Sequence, residues 1–72
     1  MNEKFIVTTI TQFFQGEMHV SHPILCNELE KAEFAAQKML EDPEDSVDQI
    51  DVYIDQFPGF TRIKHITWRR PL

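Results

Sequence analysis

The sequence predicts an α+β domain of order ββαββ, a four-stranded antiparallel sheet with one helix packed on one face. Three observations predict it. Residues 4–25 hold two runs of strand-forming residues around Gln15-Gly16. Residues 28–42 repeat apolar side chains at helical spacing, and residues 49–69 hold a second strand pair around Pro58-Gly59. Seventy-two residues make a single domain, 1–72, in which Pro71 and Leu72 read as a frayed tail.

The first strand is KFIVTTITQFF, residues 4–14, rich in the β-branched and aromatic types that fit a pleated surface. Gly16 suits the positive φ of a tight hairpin, and residues 17–25 read as the return strand. Pairing Phe14 with Glu17 sets Phe13 opposite Met18, Thr11 opposite Val20 and Val7 opposite Ile24. One face then carries Phe5, Val7, Phe13, Met18, Val20 and Ile24, and the other Ile6, Ile10 and Phe14. A strand apolar on both faces belongs inside a sheet. Pro23 has no N–H for a ladder, which puts the second strand at an edge or on a bulge. The spatial order 2-1-3-4 meets both conditions.

A helix is expected over 28–42. Asn27 suits an N-cap and Glu30 completes a capping box. Leu29, Ala32, Ala36, Met39 and Leu40 make one stripe, flanked by Ala35, and Pro43 stops the helix. Phe34 lies almost opposite that stripe, between Lys31 and Lys38, where it is either a chance exposed aromatic or a contact residue of the outer helix face.

After an acidic loop, QIDVYIDQF (49–57) alternates, with Ile50, Val52 and Ile54 inside. Pro58-Gly59 suits a type II turn, and residues 60–69 return. With Phe57 opposite Phe60, Ile54 meets Ile63, Val52 meets His65, Tyr53 meets Lys64 and Asp55 meets Arg62. Opposite charges across a strand pair favour that register, by roughly 0.2–1 kcal/mol each.

Bulk properties narrow the function. At 42% hydrophobic and 26% charged the chain is composed to fold rather than to stay disordered. Cys26 is the lone cysteine, so no internal disulfide forms, and a single thiol fits a reducing compartment. Glu3 and the threonines at 8, 9 and 11 do not suit a signal peptide, and no apolar run approaches the roughly 20 residues of a membrane span. The expectation is a cytoplasmic protein without a membrane role. The net charge of −5 opposes general affinity for a polyanion. Residues 1–57 hold all twelve carboxylates and three lysines, whereas 58–72 hold four cations and no carboxylate.

Catalytic and metal chemistry find little support. His19, His22 and Cys26 have a ligand-like spacing, but positions 19 and 22 of a strand point to opposite faces unless Pro23 bulges it. The commoner reading is a small buried thiol and a hydrogen-bonded imidazole. A Cys26 nucleophile beside His22 or His65 would need an electropositive setting, and Glu28 and Glu30 crowd it. Both glycines serve turns, so no phosphate cradle is available. The expectation is a non-enzyme with no cofactor, no metal and no catalytic residue.

Binding surfaces are the better candidates. One helix covers one sheet face, leaving Ile6, Ile10, Phe14, Tyr53, Phe57, Phe60 and Trp68 on the other, a set of interface types. The acidic residues Glu41, Asp42, Glu44, Asp45, Asp48, Asp51 and Asp55 form either a solvated surface or one that steers a basic partner. The leading expectation is a small acidic protein-binding module with an unidentified protein partner. A homodimer is the simplest use of its sheet face. In a sharper form the carboxylates imitate a phosphate backbone, as in an inhibitor or regulator of a nucleic-acid-handling host complex of the phage or mobile-element accessory type. Size and charge alone suggest that form. The alternatives are a plain homodimeric structural protein and direct nucleic-acid binding through Arg62, Lys64, Trp68, Arg69 and Arg70, which mix stacking and phosphate-binding types, His65 lying beside them. The overall charge opposes the latter.

Overall fold

The computed structural model describes residues 3–71. It holds β1 (Lys4–Phe13), β2 (Met18–Val20), β3 (Ile24–Cys26), α1 (Leu29–Leu40), β4 (Val47–Phe57) and β5 (Thr61–Arg69). The class is α+β, with one helix and an open antiparallel sheet. The order is β2-β1-β4-β5, and β3 pairs with β1 on the same edge as β2.

The expected second strand is therefore two short ones, and the sheet has five strands. The strand lapses over residues 21–23: Ser21 N–H still donates to Thr9 O, and Pro23 has no N–H to donate. The break matters for direction as well as for count. Ile10 faces Val20 and Val7 faces Ile24, so the edge spends one more residue than β1 over the same stretch. Within β3 the expected pairing of Val7 with Ile24 holds, whereas β2 is one residue out of the expected register. A slip of one residue turns every side chain over. Met18 and Val20 thus point away from the helix.

The cause lies in the first hairpin. Phe13 N–H donates to Glu17 O, and Gly16 N–H donates to Phe13 O, both at 2.9 Å. The loop is Phe14-Gln15-Gly16, one residue longer than a tight two-residue turn, with Gly16 at φ 94°. This is the three-residue hairpin whose last loop position needs a left-handed residue.

The second hairpin departs from its expected form in a parallel way. Gly59 (φ 97°) and Phe60 (φ 53°) are both left-handed, and the Phe57–Pro58 peptide is cis, in place of a type II turn. Asp55 pairs with Arg62 as expected, but a bulge between Ile54 and Asp55 shifts the rest of β5 by one. Ile63 is the extra residue. Ile54 faces Lys64, Tyr53 faces His65, Val52 faces Ile66 and Ile50 faces Trp68.

Helix α1 starts at Leu29. Glu28 occupies the N-cap with no side-chain cap hydrogen bond, so the expected Asn27 capping box is absent. Asn27 Oδ1 instead accepts a hydrogen bond from Lys4 Nζ across the sheet edge at 3.1 Å. Ala32 and Ala36 are buried, and Ala35, Met39 and Leu40 pack against the core. Both β3 and β4 run antiparallel to β1 and so parallel to each other. The helix links them by crossing over β1. Its small alanine face lets it lie close on Phe5, Val7, Val47, Ile50, Val52 and Ile54, which form the core. The core is one layer thick, and among the described residues no second layer covers the opposite face of the sheet.

Candidate functional site: the open face of the sheet

Registers place the open face residue by residue. Reading across the strands, Met18, Gln12, Gln49 and Arg69 form one row, and Val20, Ile10, Asp51 and Thr67 the next. Thr8, Tyr53 and His65 form the third row, and Leu25, Ile6, Asp55 and Arg62 the fourth. Lys4 and Phe57 close the face.

The face is divided along its length. The half built on β1, β2 and β3 is apolar, and its edge residues are well exposed: Leu25 at 66%, Val20 at 65% and Met18 at 60%. The half built on β4 and β5 is a polar stack. Arg62 Nε and Nη2 donate to Asp55 at 2.9 and 3.4 Å. The guanidinium carbon lies 4.3 Å from the Tyr53 ring centre, and Tyr53 stacks on His65 with centroids 4.3 Å apart and planes 14° from parallel. The hydrogen bond to Asp55 holds the Arg62 guanidinium above its ordinary pKa.

Asp51 anchors the stack. Its carboxylate accepts from Gln49 Nε2 at 2.8 Å and from Thr67 Oγ1 at 2.8 Å, and His65 Nε2 lies 2.9 Å away. Burial raises its pKa, but the hydrogen bonds from Gln49, His65 and Thr67, with the charge of His65, outweigh that and hold it below the ordinary value of 3.8. The Thr67 hydroxyl sends its proton to Asp51, and Thr67 and Asp51 approach the same nitrogen of His65. In a Ser-His-Asp relay the nucleophile and the carboxylate use different ring nitrogens. The geometry here is that of a carboxylate tied down by donors.

Of the expected sheet-face set, Ile6, Ile10, Tyr53 and Phe57 lie on this face. Phe14 is exposed in the first hairpin loop and Phe60 in the second, where its ring meets Phe57 edge-on at 5.3 Å. Trp68 is a correction. The Ile63 bulge turns it to the helix side, where it packs against the core. Met18, Val20, Leu25, His65 and Thr67 are the members that sequence reasoning missed. The step of three between Ile63 and Ile66, out of phase with Ile66 and Trp68, was the available signal for the second group.

The acidic series is not one surface. Glu41, Asp42, Glu44, Asp45 and Asp48 are exposed in or beside the loop from α1 to β4. Glu41 lies 3.8 Å from Lys38, and the other four make no ion pair among the described residues. Asp51 and Asp55 belong instead to the polar stack. Arg70 fastens the loop, with Nε 2.7 Å from Val47 O, Nη2 2.6 Å from Glu44 O and its backbone N–H 2.9 Å from Asp48 O. Phe14 N–H donates to Ser46 O, which joins the loop to the first hairpin. Between them lies a half-open cleft of about 450 Å³, lined by Phe13, Phe14, Gln15, Glu17, His19 and Ser46.

The cationic strand is largely engaged. Arg62 is on Asp55, Lys64 Nζ lies 2.8 Å from Glu33 of the helix, and Arg70 is on the loop carbonyls. Arg69 makes no side-chain hydrogen bond or ion pair among the described residues. Phe34 is exposed on the outer helix, with Lys38 Nζ 5.3 Å from its ring centre. Cys26 faces the core opposite Phe5. His19 meets Phe13 edge-on at 5.1 Å on the helix side of the sheet, and His22 is exposed in the break. Among the described residues, no three His, Cys, Asp or Glu side chains are grouped to hold a metal ion, and no helix is long and apolar enough to cross a membrane.

Fold and site define a small α+β domain with one helix on one face of its sheet and a divided, uncovered opposite face. No model of a known protein family matches the chain, and neither a curated protein nor a solved structure does.

Proposed function

We propose that this chain is a non-enzymatic protein-binding module that docks through the open face of its sheet, and that it works in the cytoplasm. The carrying observation is the apolar half of that face. Leu25, Val20 and Met18 stand exposed beside Ile6 and Ile10 on a sheet that has only one covered side. Apolar surface concentrated in one place marks contact sites on proteins. The lone thiol of Cys26 suits a reducing compartment. Engagement of Asp51, His65 and Thr67 with one another favours a structural role for the polar half.

The test is affinity capture from lysate of the native host, with and without nuclease, comparing wild type with Leu25→Asp. A protein retained through nuclease and lost with Leu25→Asp supports the reading. Capture unchanged by Leu25→Asp overturns it.

A second reading rests on Asp42, Glu44, Asp45 and Asp48, which carry their charge unpaired among the described residues. They would steer a basic, nucleic-acid-handling partner by imitating phosphates, as an inhibitor or regulator would. Asp45→Lys with Asp48→Lys should then abolish capture in low salt, and undiminished capture rules the imitation out. Direct nucleic-acid binding through the last strand has lost its motivating set, because Trp68 is turned inward and three of the four cations are engaged.

A further inference from the structure

We propose that the open face joins two copies of this chain face to face about a two-fold axis. The inference rests on the protein-binding reading above and names the partner.

Both sheet edges are blunted. One is broken at residues 21–23, with Pro23 in the gap, and the other is bulged at Ile63 and carries Arg62, Lys64 and Arg69. Such edges resist strand addition. With the edges blunted, the open face is the part of the sheet that can meet a second copy.

The division of that face selects the symmetry. An axis running across the strands, through the row of Thr8, Tyr53 and His65, lays each strand over its own copy in the reverse direction. The apolar half then covers the apolar half. The row of Leu25 and Ile6 lies over the row of Val20 and Ile10 in the second copy, and polar stack meets polar stack. An axis running along the strands would press Leu25 and Val20 onto the half that holds Arg62, His65 and Thr67. An isologous contact must be complementary to itself, and only the first axis makes this face so.

Size points the same way. Ten residues of β1 at about 3.3 Å each and four strands at about 4.8 Å give a face of roughly 600 Å² in projection. Side-chain relief brings its accessible area toward the roughly 800 Å² per partner of a standard interface. Half the face would fall well short, so an offset pair joined by the apolar halves alone is too small.

Charge does not oppose the pairing. The chain is strongly acidic, but the carboxylates from Glu30 to Asp45 belong to α1 and the loop after it, and Asp48 stands exposed at the start of β4, outside the rows of the open face. The open face carries Lys4, Arg62 and Arg69 against Asp51 and Asp55. In addition, Asp51 is only 7% exposed, so Ile10 and Thr67 are what its row presents.

Sedimentation equilibrium of the full chain tests the pair. The expected species has twice the 8.5 kDa chain mass at tens of micromolar, on the order of a micromolar Kd. Leu25→Asp and Val20→Asp should each weaken association about 100-fold or more, with circular dichroism unchanged because both side chains are exposed. Phe34→Asp, on the outer helix, should leave it intact. In a Cys26→Ser background, a mixture of Leu25→Cys and Val20→Cys chains should form the mixed disulfide faster than either alone forms its own. A monomer at all concentrations up to about 1 mM overturns the pair. If Leu25→Asp still abolishes capture of another protein, the binding-module reading stands without it. A dimer that survives both Leu25→Asp and Val20→Asp places the contact elsewhere and overturns the proposal.

Discussion

Asp51 Oδ1 lies 2.9 Å from Nε2 of His65 on the open face, although Asp51 and Thr67, not His65, are the directly opposed pair. The imidazole reaches one row along β5 to make the contact, and Tyr53 stacked upon it holds it there. The pair is thus a diagonal brace between two rows of the sheet.

That brace gives the fold a dependence on pH. The folded pKa of Asp51 is depressed, so its stabilising contribution is fully present above the ordinary value of 3.8 and is lost as pH falls through the lower folded value. Asp51→Asn keeps the shape and removes the charge. It should cost about 1.5–3 kcal/mol at pH 7, the range for hydrogen bonds to a charged group. Urea denaturation of both forms at pH 7 and at about pH 2 checks it: the gap should be open at pH 7 and mostly closed in acid.

A second change should stabilise the protein. Thr9 is buried beneath α1 opposite Val52, and its hydroxyl has no hydrogen-bond partner among the described residues. Its neighbours on that face of β1, Phe5 and Val7, are apolar core. Thr9→Val is close in shape and removes the unmatched group. Thermal and urea midpoints should rise by the equivalent of about 1 kcal/mol. A fall would mean that the hydroxyl is satisfied.

The chain makes its elements legible and hides their phase. The doubly apolar first strand, the alanine-lined helix and the Asp55–Arg62 pair all follow from residue type and spacing. What is hidden includes a single residue at each of three places, beside the extra Asp48 of β4 between Gln49 and Val47. Gly16 closes a three-residue loop where its type equally suits a shorter one. Pro23 marks a break but not how many residues it consumes. Ile63 looks like a strand member and is the extra residue of a bulge. The loop residue inverts β2, the break at Pro23 brings β3 back into phase, and the bulge inverts the rest of β5, which is why Met18, Val20, His65 and Trp68 change faces. The fold class and the inner place of β1 tolerate such errors, because they depend on a strand that is apolar on both sides. A surface does not, because it is defined by which side chains point outward.

The acidic loop should loosen when its clamp is removed. Arg70 supplies two side-chain hydrogen bonds and one from its backbone to Glu44, Val47 and Asp48. Arg70→Ala retains only the backbone bond and withdraws the guanidinium from the rings of Trp68 and Phe14. Stability should fall by about 1–2 kcal/mol. Amide hydrogen exchange at Val47, whose N–H donates to Glu44 O, should accelerate more than exchange at Val52 in the core. Equal acceleration at both would mean that the clamp holds the whole fold rather than the loop.

The bulge at Ile63 reconciles two demands that differ by one residue. The second hairpin sets Asp55 against Arg62, while burial of Ile66 and Trp68 beneath the helix side requires Ile54 against Lys64. Deleting Ile63 makes the two demands agree. The shortened chain should therefore fold with the same partners, keep the Tyr53–His65 stack and remain within about 1 kcal/mol of wild type, unlike most changes inside a strand. Cross-strand nuclear Overhauser effects between the Tyr53 and His65 rings read the outcome directly. Deleting Thr8 from the central strand is the contrast: no bulge absorbs it, the faces of half of β1 are exchanged, and the chain should not fold. The straightened β5 has a second consequence, since a bulge is one of the devices that keep an edge from pairing with another chain. The Ile63 deletion should associate more readily at high concentration. If it unfolds instead, the bulge residue is needed for its own contacts and the phase of β5 is not what it corrects.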